Sequence, residues 1–298
     1  MNHRLTIASL VATVVLLSFF LSGLFKNEPS LQNPLINQEI EKKIPKNATI
    51  VNNVPTVSGV LKNNIKKGVY ILQGTITIPE NTTVEIEPQT IFYANRDAKI
   101  VVLGTLNASK VEWLSNQASQ DRRYWHGLIA EQKGKITLSN CKIQDATTAI
   151  TSLQGGQIQI TGELKNNIVG IASLKNGKIS ARDVRITDGT VGIQLVGGSA
   201  EIEDAIFEKL TDGLRIFHGS NLTMNQSSFS KINRYAVRRE DQGNLLLKNI
   251  QSTTPLSIYD SREKPIYTKE GKEYKNGKII FISSATNISE DGERLVNR

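Results

Sequence analysis

The sequence predicts an all-β protein whose main body is a β-solenoid. The first observation behind this is a repeat. Counted from Gly134, Gly156, Gly177, Gly198, Ser220 and Gly243, units recur at steps of 22, 21, 21, 22 and 23 residues through about residue 257. The second is alternation within each unit. Apolar residues stand two positions after each start (Ile136, Ile158, Ile179, Ala200, Leu222, Leu245) and two further on (Leu138, Ile160, Ala181, Ile202, Met224, Leu247), which is the period of a strand with one face buried. The third is a small residue followed by an aliphatic one later in each unit: Ala149-Ile150, Gly170-Ile171, Gly192-Ile193, Gly213-Leu214 and Ala236-Val237.

Between these sites lies a less regular apolar position, Ile143, Ile186, Phe207 and Phe229. Each unit therefore supplies three short strands separated by turns rich in Gly, Asn, Asp and Thr, with no room for an amphipathic helix. A unit of this size cannot bury its apolar face alone. Stacking units at the inter-strand spacing of about 4.8 Å makes one continuous core. The dense Leu/Asn consensus of a leucine-rich repeat is missing.

The regions flanking the repeat follow from composition. Residues 1–4 are short and basic, and residues 5–25 carry no charge, a length that spans a bilayer. No small-x-small cleavage pattern follows, and Leu24 stands where a lipoprotein would need Cys. Residues 1–25 are expected to be a signal anchor or transmembrane helix, with Arg4 on the cytoplasmic side and the solenoid outside the cytoplasm, in a periplasm or at a cell surface. Residues 26–58, punctuated by Pro29, Pro34, Pro45 and Pro55, read as a flexible tether. The solenoid is assigned to residues 59–259. A charged extension, 260–298, includes one terminal strand around 277–283.

The chain is basic, with 36 Lys and Arg against 28 Asp and Glu, a formal charge of +8. The charges are interspersed and no Lys/Arg block is interleaved with aromatics, so a nucleic-acid partner is not expected. Cys141 is the one cysteine and cannot form an internal disulfide; its place beside inward positions predicts a buried thiol.

A resemblance becomes visible upstream of the repeat. Residues 68–79 (GVYILQGTITIP), 82–93 (TTVEIEPQTIFY) and 98–108 (AKIVVLGTLNA) are alternating strands, followed by Val111 to Ser115 and by Trp125-His126-Gly127-Leu128. This run resembles the opening coils of bacterial right-handed parallel β-helix proteins of the pectate-lyase-like superfamily. It departs from their pattern at Gln89, where Gly is usual, and at Lys110-Val111, where Pro-Ile is usual. The resemblance implies a right-handed, single-stranded parallel β-helix of about eight or nine coils over about residues 68–257. It does not imply one function, because the same architecture carries lyases, hydrolases, epimerases, tailspikes and non-enzymatic adhesins.

Three groups of residues are candidates for chemistry. The first is a turn ladder, Asn140, Gly162, Asp183, Asp204, Gln226 and Asn249, in which Asp183 and Asp204 would be neighbours able to hold Ca²⁺. The same residue types also suit a left-handed turn, the preferred explanation, so no metal or other cofactor is expected. The second is a patch of Asp212, Arg215, His218, Arg234, Tyr235 and Arg238. Register places Asp212 beside Tyr235 and Arg215 beside Arg238, an arrangement suited to an acidic sugar, although solvated surface charge is the preferred explanation of the patch. Asp212, Arg215, Arg234 and Arg238 are the only candidates for catalysis. The polygalacturonase elements are incomplete here, since Leu210 and Phe217 replace residues those elements require. The third is Tyr124-Trp125-His126, where Trp125 is expected to pack at a coil entry instead of stacking on a sugar.

The expected function is a membrane-tethered, extracytoplasmic, non-enzymatic β-helix that presents a face to polysaccharide or to a surface protein. The alternative is a lyase, hydrolase or epimerase acting on an acidic polysaccharide.

Overall fold

A computed structural model describes residues 54–116, 122–217, 219–239, 244–252, 258–260 and 279–282. The expected transmembrane segment, the tether up to residue 53, His218 and most of the C-terminal extension lie outside the described residues. The described residues form 24 strands and no helix, and every strand pairing is parallel. Alternating apolar positions set those strands, and their residues recur in register from coil to coil in three ladders.

Sheet one takes the first half of Val69–Ile78, then Ile91–Ala94, Glu112–Ser115, the second halves of Lys135–Gln144, Gln157–Lys165 and Lys178–Thr187, then Ile206–Glu208, Ser228–Ser230 and Gln251–Ser252. Sheet two takes the second half of Val69–Ile78, then Lys99–Val102, Gly127–Glu131, Thr148–Leu153, Val169–Leu174, Val191–Val196, Asp212–Ile216, Tyr235–Arg239 and Ile258–Asp260. Sheet three takes Thr83–Ile86, Thr105–Ser109, the first halves of the three long strands, Ser199–Glu203, Asn221–Asn225, Asn244–Lys248 and Ile279–Ile282. The first strand, Thr56–Val60, pairs with Val69–Ile78 and spans the expected domain start at residue 59.

Each sheet contributes a column to one core. Sheet one stacks Phe92 on Trp113 with centroids 5.8 Å apart and Phe207 on Phe229 at 4.8 Å, pairs worth about 0.5–1.5 kcal/mol each beyond their buried area. Sheet two supplies Ile76, Ile100, Leu128, Ile150, Ile171, Ile193, Leu214 and Val237, all buried and in register.

The small-then-aliphatic signature marks a break in strand alternation on sheet two. Both members of each pair are buried, so two consecutive residues face the core. The small member makes room for the sheet-one side chain of the next coil. A Cβ on Gly170 would stand 2.8 Å from Ile186, one on Gly192 2.7 Å from Phe207, and one on Gly213 2.6 Å from Phe229. After this double step, the residues on either side of the pair emerge on the same face of the sheet.

Candidate functional site

Asp212 and Arg215 flank one such pair, Gly213-Leu214, and the break brings them together although they are three residues apart. Arg215 Nε donates to Asp212 Oδ2 at 2.6 Å. The next coil adds Arg234, whose Nε donates to Oδ1 at 2.8 Å and whose Nη2 donates to Oδ2 at 2.5 Å. The Arg234 guanidinium also lies 5.6 Å from the centre of the Tyr235 ring. Asp212 pairs in register with Tyr235, and Arg215 with Arg238, as the repeat spacing predicts.

The Asp212 carboxylate is fully covered, whereas the Arg215 and Arg234 side chains keep 24% and 42% of their exposure. Burial pushes the Asp212 carboxyl up. Hydrogen bonds from Arg234 and Arg215, together with their charges, outweigh that effect and hold it below the usual carboxylate range. A carboxylate in this state is a weak base and carries no proton to donate. Its effect is to fix two guanidiniums side by side, with Arg238 in register beside Arg215 on the next coil.

Asp183 and Asp204 do not join this patch. They occupy the turn between sheets three and one, while Asp212 lies on sheet two. All six members of that turn ladder have positive φ: 51° at Asn140, 125° at Gly162, 49° at Asp183, 52° at Asp204, 50° at Gln226 and 50° at Asn249. The turn conformation accounts for the choice of residues, since Gly, Asn and Asp adopt it at least cost. Among the described residues, no group of three or more His, Cys, Asp and Glu is placed to hold a metal ion. Asp204, Gln226 and Asn249 instead line an open depression of about 390 Å³ together with Ile206, Ser228 and Gln251.

Trp125 is fully buried and its Nε1 donates to the Gln144 carbonyl at 2.9 Å, so it packs and offers no stacking surface. Beside it, His126 Nε2 lies 3.6 Å from Asp97 Oδ1. Burial holds its imidazole below the usual histidine range despite that carboxylate. Cys141 is buried, with its Sγ 3.5 Å from the Ser139 carbonyl, and burial raises its thiol pKa.

Two features escape the sequence reading. Arg239 belongs to an inward column with Ser152, Ser173, Leu195 and Ile216, and only 4% of it is exposed. Its spacing, two residues after the inward Val237, is the signal that finds it. The other is a buried polar cluster at the turn between sheets one and two. Asp145 accepts from Ser115 Oγ at 2.8 Å and from Asn166 Nδ2 at 2.5 Å, and Arg122 Nε in turn donates to Asn166 Oδ1 at 2.7 Å. Its hydrogen-bonded partners lie 21 to 44 residues apart in sequence, so only the stacking of coils brings them together.

Residues 115–251 match a protein family described as the right-handed beta helix region. Neither the comparison with curated proteins nor that with solved structures returned a significant match.

Proposed function

We propose that this right-handed β-helix repeat protein is a membrane-tethered, extracytoplasmic binding protein that presents the outer face of sheet two to an acidic polysaccharide and has no catalytic activity. The observation that carries the reading is the state of Asp212. Both of its oxygens are taken up by Arg215 and Arg234, its pKa is depressed, and Arg238 stands in register beside Arg215. Such a patch suits recognition of carboxylate or sulfate groups through charge-assisted, forked hydrogen bonds. Elimination or hydrolysis would need a free base or a paired acid, and the other candidate carboxylates, Asp183 and Asp204, lie at a different corner of the coil. Tethering supports the same role, since residues 5–25 are long and uncharged and residues 26–53 are polar and Pro-punctuated.

The test is affinity electrophoresis of the full chain in a nonionic detergent, through gels containing pectate, alginate or neutral dextran. Acidic gels are expected to retard the protein in a salt-sensitive manner and dextran is not. The Arg215→Gln/Arg238→Gln variant is expected to lose about tenfold in affinity, in line with one or two charge-assisted hydrogen bonds. Equal mobility in all gels overturns the reading. Release of unsaturated uronate product, abolished in Asp212→Asn, would establish the lyase alternative instead.

A further inference from the structure

The depression at the corner between sheets three and one stands where a column of charge ends. On the outward face of sheet one, Lys142, Glu163 and Arg185 are in register, and the same column continues as Ile206, Ser228 and Gln251. Long charged side chains thus give way to short or neutral ones, and the surface falls away into an open depression of about 390 Å³. Ile206, 38% exposed, supplies its apolar part. The turn residues Asp204, Gln226 and Asn249, all exposed, form its rim together with Ser228 and Gln251.

Two of those side chains are held by a neighbour. Asn225 Nδ2 donates to Gln226 Oε1 at 3.3 Å, and Asn225 Oδ1 accepts from Asn249 Nδ2 at 3.1 Å. This leaves Gln226 Nε2 to donate and Asn249 Oδ1 to accept. Asp204 is different. Its neighbours in the chain, Glu203 and Glu208, are ion-paired with Arg182 and with Arg185 and Lys231, whereas the Asp204 carboxylate has no hydrogen bond or ion pair among the described residues. The turn does not require the charge, since Asn140, Gly162, Gln226 and Asn249 serve the same conformation without one. The depression therefore carries one uncompensated negative charge among neutral donors and acceptors.

We propose that this depression binds an amino-sugar residue of an oligosaccharide, with its protonated amine on Asp204 and its hydroxyls on Gln226, Ser228 and Asn249. The site lies apart from Asp212, which is on sheet two, and does not depend on the acidic-polysaccharide reading. A sugar hydroxyl both donates and accepts, which suits a rim that offers Gln226 Nε2 beside Asn249 Oδ1 and the Ser228 hydroxyl, while Ile206 meets a C–H face of the ring. The ammonium answers the carboxylate through a charge-assisted hydrogen bond. Other classes fit less well. A uronate would bring a second anion to Asp204. A lysine side chain would satisfy the carboxylate but leave the amides and the Ser228 hydroxyl without partners. A Ca²⁺ ion takes about six to eight oxygen ligands, several of them from carboxylates, and Asp204 is the one carboxylate on the rim.

The experiment is an array of glucosamine, N-acetylglucosamine and glucose oligomers of the same linkage and length, with galacturonate oligomers alongside. It is probed with the full chain in nonionic detergent at about pH 5.5, where a free amine is charged. The glucosamine oligomer is expected to bind about tenfold more tightly than the other two, in line with one charge-assisted hydrogen bond. Asp204→Asn, which keeps a residue suited to the turn, is expected to lower it to the glucose level. Asp183→Asn, the same change one coil earlier and outside the depression, is expected to leave it unchanged. Equal binding of the glucosamine oligomer and either of the other two overturns the inference, as does a preference that survives Asp204→Asn or falls equally in Asp183→Asn. Galacturonate binding reports separately on sheet two: its absence counts against that reading alone, and Asp204→Asn is expected not to alter it.

Discussion

At the scale of single residues, Asp212 has the most to lose. Replacing it with Asn removes the charge that holds Arg215 and Arg234, and is expected to cost about 2–4 kcal/mol, measured as a shift in the denaturation midpoint. The pH dependence has a definite sign. The folded-state pKa lies below the ordinary value of 3.8, so the contribution is complete above that pH and is lost as pH falls through the depressed value. Wild-type stability is expected to fall in that acidic range more steeply than that of Asp212→Asn. His126 behaves in the opposite sense of burial. Its lowered pKa makes protonation favour the unfolded chain, so a destabilisation sets in as pH drops below 6.5, and His126→Gln is expected to remove it. Cys141 is expected to resist a thiol reagent in the native state and to react stoichiometrically after unfolding, because it is buried and its thiolate is disfavoured.

At the scale of turns and strands, the Asp183/Asp204 pair separates two explanations. If these residues serve the left-handed turn, Asp204→Gly is nearly neutral, whereas Asp204→Val costs about 1–2 kcal/mol, and Ca²⁺ leaves the melting temperature of the wild type unchanged. A Ca²⁺-dependent rise that Asp204→Gly removes would reinstate the metal site. On sheet two, Gly213→Ala forces a methyl group against the Phe229 ring and the Ala236 carbonyl, an overpacking expected to cost about 1–3 kcal/mol. Phe229→Leu should recover part of that loss in the double variant. The small-then-aliphatic pairs were visible in the sequence, but the reason for them was not. It depends on which side chain of the following coil lies above each glycine, and this is fixed only once the coils are stacked. Asp212 shows the same limit. Its neighbours Tyr235 and Arg238 follow from the repeat spacing, whereas its complete burial depends on how the Arg215 and Arg234 side chains fold over it.

For the molecule as a whole, the repeat made the coil path legible in advance, including the three ladders and the inward residues of each. Periodicity fails where coils depart from it. Arg239 replaces an apolar residue in an inward column, and the cluster of Ser115, Asp145 and Asn166 joins residues that no local pattern links. Stability in such an array is a sum over neighbouring coils. Hydrogen exchange is accordingly expected to be slowest in Thr148–Leu153, Val169–Leu174 and Val191–Val196, which are paired on both sides, and fastest in Thr56–Val60, which has one paired side among the described residues. Uniform protection along the ladders would show that the coils open as one unit.

The glycine column of sheet two has a consequence for how the chain finds its register. Coils of similar length and pattern could stack one step out of place with little loss of backbone pairing. The sizes that face each other are not uniform, however: Gly170 lies under Ile186, Gly192 under Phe207 and Gly213 under Phe229, while Ala149 and Ala236 hold the same position at the ends of the series. A slip of one coil toward the N-terminus would instead set Ile186 above Ala149, whose methyl group fills the space that Gly170 leaves open. The alanine at either end of the glycine series thus sets its limits, marking where the wide sheet-one side chains of a nearly periodic chain can sit.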